Sequence, residues 1–165
     1  MNIIKRVRYS CFVFGEGGKD KKFLRTLIDL EKFRFHTKKW TFNYGNASGG
    51  SAKSILEKCH KEVSGYDYHL ILCFIDLDDL KHDFPRTWKN EKRELEEKYC
   101  NFKIIWQLNN SEDEIKKVLG NMDVSKNMLN KIAKEKIKKF INSDFWKRIL
   151  EPIKTKEKEL DQKEE

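Results

Sequence analysis

The stretch that decides the fold is residues 69–79, which reads HLILCFIDLDD. After the histidine, residues 70–75 are continuously apolar. A strand covered on both faces needs such a run, whereas a strand with one solvent-exposed face alternates polar and apolar residues. The run therefore predicts a buried strand of a parallel sheet over residues 69–75. Three acids, Asp76, Asp78 and Asp79, come directly at its carboxyl end.

Three further segments have the composition of strands, and helical segments separate them. The strands are residues 8–14 (RYSCFVF, ending at the glycine turn GEGG), 39–44 (KWTFNY) and 102–108 (FKIIWQL), and the helices are residues 19–33, 51–64 and 85–98. This alternation predicts an α/β fold with a mostly parallel four-stranded sheet flanked by helices. In such folds the functional cleft lies beyond the carboxyl ends of the strands.

The C-terminal part of the chain has helical periodicity and no strand pattern. Apolar residues recur at helical spacing over residues 128–141, a second helix is predicted over 145–153, and residues 154–165 are almost entirely charged. We therefore expect an α/β domain over residues 1–122 and a helical extension packed on it over 123–153. Residues 154–165 are expected to form a frayed helix or a charged, disordered tail.

Composition excludes several classes of protein. The chain has 165 residues, of which 38% are hydrophobic and 38% charged, which is typical of one globular domain. No apolar run approaches the roughly 20 residues of a membrane span, so we expect a cytoplasmic protein without a membrane partner. The four cysteines lack a CxxC pair and are interpreted as buried thiols rather than as disulfides or zinc ligands.

The net charge is positive, because 35 Lys and Arg residues face 27 Asp and Glu residues and leave a formal charge of +8. A basic surface favours polyanions such as nucleic acid, since cationic side chains neutralise phosphates and release counterions. A lysine-rich surface also serves solubility. The charge therefore favours nucleic-acid binding without identifying a substrate.

Acidic residues follow three of the four predicted strands. They are Glu16 after the first strand, Asp76, Asp78 and Asp79 after the third, and Glu112 and Glu114 after the fourth. Carboxylates that meet at one sheet edge repel one another unless protons or cations neutralise them, and oxygen ligands are what Mg²⁺ and Mn²⁺ require. We expect Asp76 and Asp78 to turn toward one ion while Leu77 packs inward.

Two of these motifs resemble a known family. The stretch FVFGEGGKDKKFL (residues 12–24), followed later by LILCFIDLDD (70–79), resembles the Toprim domain of topoisomerases, primases and overcoming-lysogenisation-defect (OLD) nucleases. Together with GNASGGSAKSILEKC (45–59) and NNSEDE (109–114), it looks most like the small stand-alone RloB-like and OLD-like nucleases, which are often associated with phage defence. The resemblance covers residues 9–114 and implies a Rossmann-like Toprim fold.

The resemblance implies a metal-dependent nuclease that hydrolyses phosphodiesters in DNA or RNA. Glu16 matches the Toprim glutamate, a general acid/base or metal ligand, and Asp76 and Asp78 match the metal-binding Asp-x-Asp pair. Asp79 extends the acidic cluster, and Glu112 or Glu114 resembles the additional acid of the nuclease branch. One or two Mg²⁺ or Mn²⁺ ions would activate water and orient the phosphate. The Pro-x-Phe-Glu context of that additional acid is missing, which leaves the second metal open.

Nucleic acid is the partner that this function implies, and a separately encoded ATPase is a further candidate. Lys19, after the glycine turn, and Lys53, at the start of the next helix, are candidates for contacting phosphate oxygens. Both are equally compatible with solvated surface lysines.

Two alternative functions stay open. One is an inactive Toprim-like module that binds nucleic acid or a partner protein. The other is a haloacid-dehalogenase-type phosphatase, which also has an apolar strand ending in Asp-x-Asp. The sequence disfavours the phosphatase, because Leu80 stands where that family usually has Thr or Val, and because the motif follows the third strand rather than the first.

Overall fold

A four-stranded sheet forms the centre of the protein. The computed structural model describes residues 9–17, 39–107 and 143–163, together with the single positions 128, 131, 132, 135 and 139. In chain order the elements are β1 (Tyr9–Gly15), β2 (Trp40–Asn46), α1 (Ala52–Val63), β3 (Leu70–Asp76), α2 (Leu77–Asp83), α3 (Trp88–Lys98), β4 (Lys103–Gln107) and α4 (Asp144–Lys163).

The strands are all parallel and lie in the order β2-β1-β3-β4. Tyr9 pairs with Trp40 across β1 and β2, Cys11 pairs with Leu70 across β1 and β3, and Asp76 pairs with Gln107 across β3 and β4. The predicted α/β class, with a four-stranded parallel sheet flanked by helices, is confirmed.

The core explains why these residues form these elements. Residues 71–75 of β3 and 11–14 of β1 are buried, as the continuous apolar runs predict. Helix α1 places Ile55, Leu56 and Cys59 on one buried face, since residues three and four apart share a helix face. Its N-cap is Ser51, whose hydroxyl accepts a hydrogen bond from the Ser54 backbone N–H at 3.2 Å.

A short helix that the sequence analysis does not predict follows β3 directly. Helix α2 begins at Leu77 because Leu77 and Leu80, three positions apart, are both buried against the core. The helix predicted from Pro85 begins instead at Trp88, as α3. The acidic residues after β3 therefore lie on a helical turn rather than on an extended loop.

The C-terminal helix extends further than predicted. Helix α4 runs continuously to Lys163, and its buried Ile149, Ile153 and Glu157 lie four residues apart on one face. Asp161 accepts hydrogen bonds from the Tyr9 hydroxyl and the Lys39 ammonium group. Residues 154–163 are thus part of a docked helix and not the expected frayed helix or disordered tail. The buried face of the helix supplies contacts that the charged composition of this segment does not reveal.

The cysteines differ from the expectation at one position. Cys11, Cys59 and Cys73 are buried, whereas Cys100 is exposed. Burial raises the pKa of the Cys11 thiol, and a hydrogen bond with Cys59 together with burial raises the pKa of the Cys73 thiol. The Cys11 and Cys73 thiols are therefore protonated at neutral pH.

Some predictions fall outside the described residues. These are the helix over residues 19–33 and the candidate site residues Lys19, Glu112 and Glu114. Positions 128, 131, 132, 135 and 139 are helical, as predicted for residues 128–141. Within the described ranges, none of the helices combines the length and apolar character that a membrane crossing requires.

Candidate metal centre

The strand order places two acidic residues at one crevice. From β1 the chain moves to β2 on one side, and from β3 it moves to β4 on the other. Strands β1 and β3 are thus the neighbours at which the strand order reverses, and in such folds a crevice lies beyond the carboxyl ends of these two strands. Glu16 directly follows β1 and Asp76 is the last residue of β3, so both lie at this point.

Three carboxylates meet at the crevice. Glu16, Asp76 and Asp79 each offer a carboxylate oxygen, and these oxygens all lie within 4.8 Å of one another. All three side chains are partly buried. We call these residues the acidic cluster. A donor set of three carboxylate oxygens suits a hard divalent cation, so the cluster could hold a metal ion.

Asp79, rather than Asp78, joins Asp76 in the cluster. Asp76 is the N-cap residue of α2, and its side chain makes no capping hydrogen bond to the helix. Asp79 lies three residues further on and shares its face, whereas Asp78 is exposed in the first helical turn. The expected pairing of Asp76 with Asp78 assumed an irregular strand end, and the immediate start of a helix replaces it with an i, i+3 pairing.

Electrostatics keep Glu16 protonated at neutral pH. Burial raises the pKa of the Glu16 carboxyl to about 9, and hydrogen bonds with Asp79 and Asp76 and the charges of both residues act in the same direction. The neutral Glu16 can donate its proton to a neighbouring carboxylate. The proton thereby relieves part of the repulsion in the cluster, and a cation would take over that role.

A loop closes over the end of β1 and positions Glu16. The backbone N–H of Gly49 donates to the Glu16 carbonyl oxygen at 2.8 Å, and Lys58 of α1 donates to the Ala47 carbonyl oxygen at 2.9 Å. Gly49 and Gly50 have φ angles of 87° and 120°, in the region that favours glycine. The glycines in GNASGGS are therefore needed for the turn that brings α1 to the cluster.

The cluster borders a cavity of about 390 Å³. The cavity is lined by residues that directly follow β1, directly precede α1 or lie in α2: Glu16, Gly50, Ser51, Asp79, His82 and Asp83. His82 and Asp83 lie three and four residues after Asp79, so they belong to the same side of α2. Sequence reasoning missed both residues because it did not predict α2. Applying the i, i+3, i+4 spacing of a helix face to Asp79 would have identified both residues.

The structure gives Lys53, the predicted phosphate contact that lies within the described residues, no specific partner in the site. Lys53 lies exposed in the first turn of α1, where a solvated lysine is the simpler interpretation. Lys58, which the sequence analysis did not select, has a structural role through its bonds to the loop carbonyls. Nothing in the sequence distinguishes Lys58, which lies in α1 beyond the glycine loop, from the other lysines of the chain.

Comparisons with known proteins give no family assignment. No family model, no curated protein and no solved structure matches the chain. The class defined by fold and site is therefore an α/β protein with a parallel sheet and an acidic cluster at its topological switch point. The Toprim assignment rests on the motifs alone and stays a prediction.

Proposed function

We propose that the protein is a metal-dependent nuclease that hydrolyses phosphodiester bonds of DNA or RNA with Mg²⁺ or Mn²⁺ in the acidic cluster. The observation that carries this proposal is the convergence of Glu16, Asp76 and Asp79 within 4.8 Å at the carboxyl end of a parallel sheet. Two aspartates crowded against a carboxyl that stays protonated at neutral pH cost stability, and a divalent cation compensates that cost while it serves phosphate chemistry.

Each residue of the cluster has a separate task in this proposal. Asp76 and Asp79 would hold the cation through their carboxylate oxygens, and Glu16 would either share it or move a proton. The bound cation would supply Lewis-acid polarisation of a phosphate oxygen. Because the pKa of Glu16 lies at about 9 beside two carboxylates, its proton is retained at neutral pH until a cation displaces it.

The charge of the whole chain supports a polyanionic substrate. A formal charge of +8 attracts nucleic acid, yet the cluster itself is acidic. A cation between carboxylates and phosphate reconciles these two features. With the Toprim resemblance, the proposal extends to a cytoplasmic role in phage defence or nucleic-acid processing, alone or with a separately encoded ATPase.

Asp78 keeps a lesser place in the proposal. The Asp-x-Asp resemblance assigns it to the metal, whereas the structure places it outside the acidic cluster and in the first turn of α2. Acids at this position stabilise a helix through its dipole. We therefore assign the ligand role to Asp79.

The main rival is a binding module without catalysis. It would use the basic surface and leave the acidic cluster without a function, so the close approach of the three carboxylates favours the enzyme. The phosphatase alternative needs Asp76 as a nucleophile and a Thr or Val at position 80. Leu80 is buried in the core at 2% exposure and offers no polar group there.

The test is a cleavage assay with purified protein on single-stranded DNA, duplex DNA and RNA, each with Mg²⁺, with Mn²⁺ and with EDTA. We expect cleavage that requires metal and that is lost in Glu16→Ala, Asp76→Ala and Asp79→Ala. Asp67→Ala, an exposed acid at the opposite edge of the sheet, is the matched control and should cleave like the wild type.

Binding measured in parallel separates the rival functions. Binding without cleavage under every metal condition, unchanged in the three variants, would establish the binding module and overturn the proposal. Hydrolysis of a small phosphomonoester without hydrolysis of nucleic acid would favour the phosphatase.

A further inference from the structure

An exposed segment lies next to the cavity of the acidic cluster. Helix α2, which carries Asp79, His82 and Asp83 into the cavity, ends there, and residues 84–87 are exposed. The turn is fixed by two backbone hydrogen bonds, from Phe84 N–H to the Leu80 carbonyl at 2.9 Å and from Thr87 N–H to the Phe84 carbonyl at 3.3 Å. The segment is therefore an ordered turn at the rim of the cavity.

The segment presents an apolar ring to solvent. The Phe84 side chain is 41% exposed, and it is among the few large hydrophobic residues that the described part of the chain exposes. Arg86, two residues later, is exposed and makes no hydrogen bond with another described residue. An aromatic ring and a guanidinium group in solvent form a surface on which a planar base can stack.

Two lysines are held in place around Trp88, the residue that follows the exposed segment. The ammonium groups of Lys81 and Lys89 lie 4.8 Å and 5.6 Å from the centre of the Trp88 ring. Trp88 is partly buried and packs against the hydrophobic core, so it is a fixed platform for both cations. Cation–π contacts thus fix two positive charges around Trp88, directly after the exposed segment.

The charge of this region has the opposite sign to that of the cavity. Residues 81–93 contain five basic residues and two acidic ones. Phosphates would be attracted along this segment, whereas the acidic cluster repels them unless a cation intervenes. The complementarity favours a polyanion that also carries aromatic groups.

We propose that Phe84, Arg86, Lys81 and Lys89 form a binding surface for single-stranded nucleic acid, with Phe84 stacking on an unpaired base and the cations contacting phosphates. This inference rests on the proposed function, because it names the substrate class for the same cavity. The exposed Phe84 ring favours a single strand over a duplex, since the bases of a duplex are already stacked on one another.

The test measures binding in EDTA, where no cleavage interferes. Fluorescence anisotropy follows a labelled oligothymidylate of about twelve nucleotides, its RNA counterpart and a duplex of equal length. We expect Phe84→Ala to weaken single-strand binding at least about 5-fold and duplex binding by less than about 2-fold. Lys81→Ala and Lys89→Ala should weaken both and lower the salt dependence of binding by about one ion each.

Matched controls lie at the opposite edge of the sheet. Tyr66→Ala removes a ring that is 67% exposed, and Lys61→Ala removes an exposed lysine of α1. Neither should change binding. The DNA and RNA arms show which sugar the surface accepts, and either result supports the inference.

The outcomes separate this inference from the proposed function. If Phe84→Ala, Lys81→Ala and Lys89→Ala bind every probe like the wild type while the wild type cleaves with metal, the surface is overturned and the nuclease stands. If single strands bind through Phe84 but no metal condition gives cleavage, the surface stands and the nuclease falls. Wild-type protein that binds none of the probes, or that binds the duplex more tightly than the single strand, overturns the surface.

Discussion

The amino edge and the carboxyl edge of the sheet both carry acidic side chains but arrange them differently. At the amino edge, Asp161 of α4 accepts hydrogen bonds from the Tyr9 hydroxyl and the Lys39 ammonium group, and Glu157 lies 3.7 Å from Lys39. Acidic groups thus face a cation, and the hydrogen bond with Asp161 raises the pKa of Lys39. This edge is arranged for stability.

At the carboxyl edge, acidic groups face one another. Glu16, Asp76 and Asp79 share one point, and burial together with the two aspartates raises the pKa of Glu16 to about 9. Native chains keep such unfavourable groupings mainly where a function uses them. The contrast teaches that the carboxyl edge keeps a destabilising grouping that the amino edge lacks. The proposed metal-dependent chemistry would account for this grouping, and the following predictions test that proposal.

The largest expected effect is on cleavage. Asp76→Asn and Asp79→Asn should each lower metal-dependent cleavage at least about 100-fold, because each removes a charged ligand oxygen. Asp78→Asn should change it less than about 3-fold. Initial rates at saturating Mg²⁺ measure both, and equal losses in the Asp78 and Asp79 variants would restore Asp78 as a ligand.

Metal affinity should depend steeply on pH. Below pH 9 the metal-free Glu16 is protonated, so a cation that binds at the cluster must displace this proton. Affinity for Mn²⁺ should therefore rise about 10-fold per pH unit between roughly pH 6 and 9. Calorimetry in two buffers of different ionisation enthalpy should show about one proton released.

The control for this dependence is Glu16→Gln, which has no proton to lose. Its Mn²⁺ affinity should be lower than that of the wild type at pH 8 and nearly independent of pH. If the Mn²⁺ affinity of the wild type did not change between about pH 6 and 9, metal binding would not be linked to a proton on Glu16.

At the amino edge we expect a loss of stability without a loss of activity. Asp161→Ala leaves the Tyr9 hydroxyl and the Lys39 ammonium group without this acceptor, which should cost about 1 kcal/mol and lower the Tm by about 2–4 °C. Cleavage per folded molecule should not change. Glu159→Ala, which removes only an exposed pair with Lys156, is the control and should shift the Tm by less than about 1 °C.

The smallest expected effect is at the carboxyl edge, where a substitution should raise the stability of the fold rather than lower it. The pKa of Glu16 is about 9 in the folded chain and about 4.5 in the unfolded chain, so the folded state holds the extra proton between these values. Stability therefore falls as pH rises from 4.5 to 9. Because Glu16 is partly exposed, solvent screening reduces this penalty, and Glu16→Gln should raise stability at pH 8 by about 1 kcal/mol or less.

Thermal melts of both proteins at pH 4 and pH 8 measure this effect. The Tm difference between Glu16→Gln and the wild type should appear at pH 8 and vanish at pH 4, where both carry a neutral side chain. A variant that is less stable than the wild type at pH 8 would show that the charge of Glu16 is compensated in the folded state.

Several features of the fold could be predicted from local patterns. The continuous apolar run before Asp76 predicted a buried strand, and the alternation of strands with helices predicted the parallel sheet. Because strand ends in parallel sheets share an edge, the positions of Glu16 and Asp76 in the sequence also placed them together. These inferences succeed because the spacing of apolar residues along the chain differs between strands and helices.

Other features depended on contacts between distant parts of the chain. Asp79 replaces Asp78 in the cluster because burial of Leu77 and Leu80 starts a helix at once. The charged C-terminal residues form a docked helix because Asp161 meets Tyr9 and Lys39.

The sequence by itself thus determined the strands, the parallel α/β class and the acids at the strand ends, because neighbouring residues encode them. The tertiary structure alone decided which carboxylates share a site, where α2 begins and what covers the start of β1. These depend on the strand order β2-β1-β3-β4 and on side-chain burial. Both are set by the free energy of packing segments that lie far apart along the chain.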